Sequence, residues 1–129
     1  MNKKQQRRIL IIDDEVTFAR LLQLNLEQLG GYAVRVENQG AQALAAARDF
    51  HPDMIFCDII MPDIGGGAVA DQIRADAALA QTPIVFLTAV VSKQEASERG
   101  GLIGGHPCLA KPATIEDVVR CIEQQFNGA

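Results

Sequence analysis

A single α/β domain, with helices packed on both faces of a parallel β-sheet, is the fold class this sequence predicts. Three observations lead there. Short aliphatic runs alternate with longer stretches of helical periodicity, and parallel strands need such crossovers between them. The runs "ILII" (9–12), "MIFC" (54–57) and "IVFL" (84–87) show no polar alternation, as strands buried on both faces should not. At 129 residues, 48% hydrophobic and 22% charged, the chain can bury a core without disulfides or metals and is too apolar to be disordered.

The elements follow in order. "ILII" is the first strand and runs straight into the acids Asp13, Asp14 and Glu15. Phe18, Leu21, Leu22, Leu26 and Leu29 then recur at helical spacing, and "GG" at 30–31 stops that helix. "AVRV" (33–36) alternates, which suits an edge strand. "AQALAAARDF" (41–50) is alanine-rich and helix-favouring. "MIFC" forms the third strand, and "GAVADQIRADAAL" (67–79) the third helix, with Val69 and Ile73 four apart. "IVFL" is the fourth strand and "CLA" (108–110) the fifth. Between them, "SKQEASERGGLIGG" (92–105) offers few helical residues before four glycines, each costing about 1 kcal/mol in a helix. A short or irregular fourth helix is expected there, or a loop turning back into the fifth strand. Thr114 caps the last helix, whose inner stripe is Ile115, Val118, Val119, Ile122 and Phe126. No repeat or linker interrupts this order, so residues 1–129 read as one domain with its core at about 8–126.

Composition excludes several function classes. A net charge of −4 argues against a nucleic-acid binder. The basic cluster "KKQQRR" (3–8) reads as a solvated leader, and the apolar run behind it, Ile9 to Ile12, is too short for export or membrane spanning. Cys57, Cys108 and Cys121 are odd in number and lack C-x-x-C spacing, so they read as reduced, mostly buried thiols of a cytoplasmic protein.

The chemistry gathers at the strand ends. In such sheets, ligands bind outside the carboxyl ends of the strands. Strand one ends in Asp13, Asp14 and Glu15, strand three in Asp58, strand four in Thr88 and strand five in Lys111. Adjacent carboxylates repel by about 1 kcal/mol even in water, so a cation is expected among them. An oxygen-rich set suits Mg²⁺, while a hydroxyl and an ammonium suit an anion beside it. Each piece alone has an ordinary reading: a helix-dipole partner, a cap, a strand threonine, a solvated lysine. Their joint occurrence at four strand ends is what points to a site. His51 and His106 each precede a proline in an expected loop and are given no catalytic role, and Met61 reads as loop packing.

With these residues in place, "ILIIDDE", "PDMIFCDIIMPDIGG", "PIVFLTA" and "CLAKP" resemble, in order, the motifs of the receiver domain of two-component response regulators. The resemblance spans roughly residues 8 to 126. It implies a flavodoxin-like, doubly wound, five-stranded parallel sheet in the order 2-1-3-4-5. It implies that Asp58 accepts a phosphoryl group from a histidine kinase or histidine phosphotransfer protein. Mg²⁺ would be held by Asp14 and Asp58, by Asp13 mainly through water, and by the Ile60 backbone carbonyl. Thr88 and Lys111 would bind phosphoryl oxygens, the small Ala89 would leave room for the group, and Lys111–Pro112 would be cis. The chain would be a phosphoacceptor, not an enzyme acting on other molecules, catalysing only its own phosphoryl transfer and autodephosphorylation. The signal would pass to a downstream output protein or domain, without contact to nucleic acid or membrane.

Departures from the family pattern carry expectations of their own. The aromatic switch residue expected three positions before the lysine is here Cys108, which implies an unusual output face and a 91–107 segment that reorders on phosphorylation. Ile60 and Val90, two beyond Asp58 and Thr88, cannot orient a hydrolytic water, so a long-lived acyl phosphate is expected. A haloacid-dehalogenase-type phosphatase needs a second acid two residues after its nucleophile, and Ile60 stands there. A nucleotide switch needs a glycine-rich phosphate loop with lysine after strand one, and none is present. The remaining rival is a receiver-like interaction module that works without phosphorylation. Only "NGA" follows the last helix, so a stand-alone receiver or the receiver of a longer regulator is expected.

Overall fold

The computed structural model of the chain describes residues 6–89, 102–103 and 105–127. The aliphatic run after the basic leader forms β1 (Arg7–Ile12), followed by α1 (Val16–Leu29), β2 (Tyr32–Glu37), a 3₁₀ turn at Gly40–Gln42 and α2 (Ala43–Phe50). Then come β3 (Met54–Asp58), α3 (Gly66–Ala75), β4 (Ile84–Thr88), β5 (Leu102–Ile103), β6 (His106–Ala110) and α4 (Ile115–Phe126). The sheet order is β2-β1-β3-β4-β6-β5. β2, β1, β3, β4 and β6 are all parallel, with Ile9 opposite both Val34 and Met54 and Thr88 opposite Ala110. The strand order therefore reverses between β1 and β3, which opens a crevice at their carboxyl ends.

Side-chain alternation along β1 divides the core. Ile9 and Ile11 face Ala19, Leu22 and Leu26 of α1 and Val118 and Ile122 of α4. Leu10 and Ile12 face the small residues Ala43, Ala46 and Ala47 of α2 and Val69 and Ile73 of α3. All four β1 aliphatics are completely buried, so the central strand is held from both faces. As anticipated, β2 is the edge strand, and Val34 alone of its residues is buried.

Several elements differ from the sequence-based expectation. The buried stripe of α1 is Ala19, Leu22 and Leu26, while Leu21 and Leu29 are 55% and 59% exposed. The five side chains spread over a broad sector of the helix, and docking on the sheet buries the side of it that Leu22 and Leu26 share with Ala19, leaving Leu21 at the far edge and Leu29 at the helix end. The helix does stop at the glycines, and both Gly30 and Gly31 take positive φ (79° and 87°). The third helix, expected to reach residue 79, ends at Ala75. Asp76 there accepts a hydrogen bond from the Ala78 amide (2.9 Å) and an ion pair from Arg48 (2.6 Å), and this local turn competes with helix.

The last strand also begins earlier than "CLA", at His106, so His106 is a strand residue rather than a loop residue. Its ring packs edge-on against Phe86, centroids 5.3 Å apart. The two-residue β5 was not anticipated. It pairs antiparallel with β6, Ile103 opposite His106, in a hairpin that includes Gly105 at φ 84°. The sheet thus has a sixth, short strand, in keeping with a segment that turns back into the last parallel strand. The short fourth helix expected within 92–105 and the 91–107 segment fall largely outside the described residues, as does Val90. All three cysteines are buried, and no disulfide joins them among the described residues. At α4 the cap is as expected: Thr114 Oγ1 accepts from the Asp117 amide (3.1 Å), and the Asp117 carboxylate accepts in turn from the Thr114 amide (3.3 Å).

Candidate functional site

The carboxyl ends of β1, β3, β4 and β6 bring Asp13, Asp14, Asp58, Thr88 and Lys111 to one crevice. Asp13 and Thr88 are fully buried and Asp58 is 6% exposed, because each ends or directly follows a strand whose apolar part is locked in the core. Ligand oxygens of Asp13, Asp14 and Asp58 all lie within 4.8 Å of one another. The Lys111 ammonium sits among acids, 2.7 Å from Asp13, 2.5 Å from Glu15 and 3.5 Å from Asp58. It also lies 4.6 Å from the centre of the Phe18 ring. The Lys111–Pro112 peptide is cis, as expected, and the Lys111 amide donates to the Thr88 carbonyl (2.9 Å), so the ends of β4 and β6 are tied directly together.

Asp13 is held by two hydrogen bonds. Asp13 Oδ1 accepts from the Glu15 amide (2.9 Å), and Asn38 Nδ2 donates to the Asp13 carbonyl (2.8 Å). Asp13 Oδ2 is buried and accepts no hydrogen bond among the described residues, so its 2.7 Å approach to Lys111 is an ionic contact without hydrogen-bond alignment. Asp58 accepts two long bonds, 3.4 Å from the Ile60 amide at Oδ1 and 3.5 Å from the Lys111 ammonium at Oδ2. Burial first, and then the charge of Asp13, push the Asp58 carboxyl up to about 6, while Lys111 pulls it part of the way back. Burial works against the Lys111 ammonium, but the Asp13 and Glu15 carboxylates outweigh it and raise its pKa. Burial, with Asp58 and Asp13 beside it, pushes the Cys57 thiol to about 12, which leaves it inert next to the site.

The chemistry of this donor set fits a hard divalent cation. Three close carboxylates, two of them buried and one reluctant to ionise, are what such a cation relieves. At the neighbouring strand ends stand Thr88, which carries a hydroxyl, and the Lys111 ammonium, a pair of groups that suits an anion.

The structure also brings in residues that sequence reading gave no role. Gly66, at the start of α3, donates its amide to the Ile59 carbonyl (2.7 Å). A Cβ built on Gly66 would stand 2.3 Å from the Asp58 carbonyl oxygen and 2.8 Å from Ile59 Cα, so only glycine lets α3 approach this loop. Asp63 accepts from the Ala41 amide (2.8 Å), fastening the loop after Asp58 to the turn before α2. The "GGG" run at 65–67 was the available signal for the first of these, whereas nothing local marks Phe18 or Asp63. Ile60, 63% exposed, stands on the rim, and Met61 packs in the core as expected.

A family model for the response regulator receiver domain matches residues 9–123. The chain is 31% identical over 123 residues to protein PilH of Pseudomonas aeruginosa, covering 94% of this chain and 98% of PilH. It is 36% identical over 119 residues to the alkaline phosphatase synthesis transcriptional regulatory protein PhoP of Bacillus subtilis, covering 92% of this chain and 46% of PhoP. It likewise spans 46% of the transcriptional regulator RpaA of Synechocystis, and so about half the length of several curated relatives. Among solved structures, a putative response regulator from Chloroflexus aurantiacus superimposes with a TM-score of 0.79 at 31% identity, covering 93% of this chain and 97% of that one. The chemotaxis response regulator CheY4 of Vibrio cholerae gives 0.78 at 27% identity, covering 93% and 98%.

Proposed function

The chain belongs to the response regulator receiver domain family, and on that premise we propose that Asp58 is the residue that takes the phosphoryl group. The protein is a receiver of two-component signal transduction and a signalling phosphoacceptor rather than a classical enzyme. In the proposed transfer, an Asp58 carboxylate oxygen attacks the phosphorus of a phosphohistidine. An O–P bond forms as the P–N bond breaks, and the released imidazole nitrogen keeps the electron pair and takes up a proton. Asp13, Asp14 and Asp58, with the Ile60 carbonyl, would hold Mg²⁺, Asp13 mainly through water. When bound, Mg²⁺ supplies charge neutralisation for the phosphoryl oxygens. The Thr88 hydroxyl donates to one phosphoryl oxygen and the Lys111 ammonium pairs with another, while Ala89 leaves space beside them.

The donor in this reading is a histidine kinase or histidine phosphotransfer protein, and the recipient of the signal is a downstream output protein or domain. The whole chain acts as one domain in the cytoplasm, contacting neither nucleic acid nor membrane. No helix among the described residues is long and apolar enough to cross a membrane. Once formed, the acyl phosphate is long-lived, because Ile60 on the rim carries no group that could orient an attacking water. A half-life of seconds in Mg²⁺ would contradict that part of the reading.

One observation carries the proposal: Asp58 lies buried at the end of β3, within reach of Lys111 and clustered with Asp13 and Asp14. Incubation with acetyl phosphate and Mg²⁺ is expected to add one phosphoryl group, seen by intact-mass spectrometry and absent in Asp58→Asn. Unchanged uptake in that variant would refute the assignment. No uptake by the wild type would favour the phosphorylation-independent module instead.

A further inference from the structure

Glu15 occupies the N-cap position of α1, yet its side chain makes no capping hydrogen bond. The helix start does not need it: the Glu15 carbonyl accepts the first helical bond from Ala19 (3.0 Å), and the Glu15 amide is taken by Asp13. The carboxylate instead reaches Lys111, 96 residues away in sequence, at 2.5 Å. The Lys111 side chain is 8% exposed, whereas that of Glu15 is 60% exposed. A half-solvated acid therefore holds one end of a nearly buried amine, with the Phe18 ring as a further support. The two short contacts of Lys111 both lead to the end of β1, and the contact to Asp58 is the longest of the three.

We propose that Glu15 is a positioning residue that holds Lys111 toward β1 in the unphosphorylated protein and competes with the phosphoryl group on Asp58 for its ammonium. This rests on Asp58 being the phosphoacceptor. A cation among the three aspartates draws on the charge of Asp13, and Glu15 then becomes the main competitor for Lys111. The competition is modest, because an exposed carboxylate in an ion pair contributes little. Neutralising Glu15 shifts Lys111 toward an anion at Asp58 and tightens anion binding about 2- to 5-fold.

The test is a ¹⁹F NMR titration of the full chain with beryllofluoride in Mg²⁺, which reads the affinity of the site for a phosphoryl mimic. Glu15→Gln is expected to bind more tightly than wild type, and the gain is expected to vanish in a Lys111→Ala background, because the effect passes through that amine. A Glu15→Gln variant that binds equally or more weakly overturns the proposal. So does a gain that survives Lys111→Ala, since it would report a change in the helix start. Failure of the wild type itself to bind beryllofluoride would count against the phosphoacceptor reading on which this one depends. Glu15→Gln should unfold at nearly the wild-type urea midpoint, which separates a positioning role from a structural one.

Discussion

Replacing Asp58 by asparagine is expected to stabilise the metal-free protein, although it removes the proposed nucleophile. Asp58 is raised from the ordinary 3.8 to about 6, mainly by burial and then by Asp13. The folded chain thus resists ionising a group that the unfolded chain ionises readily. Below about pH 4 the carboxyl is neutral in both states and the penalty is absent. It grows as pH rises from about 4 to 6 and stays constant above that. Taken at face value, a shift of this size corresponds to about 3 kcal/mol, and the open crevice reduces it to roughly 1–2 kcal/mol. Asparagine keeps the shape and can still accept from the Ile60 amide, while Lys111 retains its shorter contacts to Asp13 and Glu15. Urea unfolding in EDTA should therefore give Asp58→Asn a stability advantage at pH 7.5 that is nearly gone at pH 4. Added Mg²⁺ should narrow the gap by binding the wild type more tightly. A variant less stable than wild type at pH 7.5, or an advantage independent of pH, would refute the electrostatic argument.

Gly66→Ala should cost about 1–3 kcal/mol, because its Cβ meets backbone rather than a movable side chain, and it should also slow acetyl phosphate uptake by displacing the Asp58 loop. Urea melts and a phosphorylation time course measure the two effects. Thr114→Ala should lose about 0.5–2 kcal/mol through the broken capping box, and Thr114→Ser should recover most of it in the same unfolding assay. Ile122→Ala should cost roughly 2–5 kcal/mol, since Ile122 is buried between α4 and the sheet. Native protein at pH 8 should resist alkylation at Cys57 and Cys121, whose burial pushes their thiols to about 12 and 11, whereas urea-unfolded protein should react at both, as read by mass spectrometry.

Local pattern was enough for what depends on neighbours in the chain. The unbroken aliphatic runs of β1, β3 and β4 announced strands buried on both faces, and the acids following β1 and ending β3 are ones that the fold brings close together. The Thr114 cap was equally legible, because a capping box spans only four positions. The resemblance to receivers supplied the strand order, which periodicity cannot, and the sheet has that order among its parallel strands.

Tertiary structure alone decided the rest. The spacing of the α1 leucines was compatible with more than one buried face, and only docking on the sheet put Ala19 inward and Leu21 outward. The β5–β6 hairpin hides in a glycine-rich stretch whose composition disfavours helix without naming a partner strand. Glu15 is the sharpest case. Read locally, it is the third acid of a row and the start of a helix. In the folded chain its carboxylate turns to Lys111, because the sheet order sets the ends of β1 and β6 on either side of one crevice. Sequence determines which charges exist and which strand carries each. Only the fold determines which of them touch, since ion-pair partners are chosen by distance in space, and 96 positions of chain separate these two.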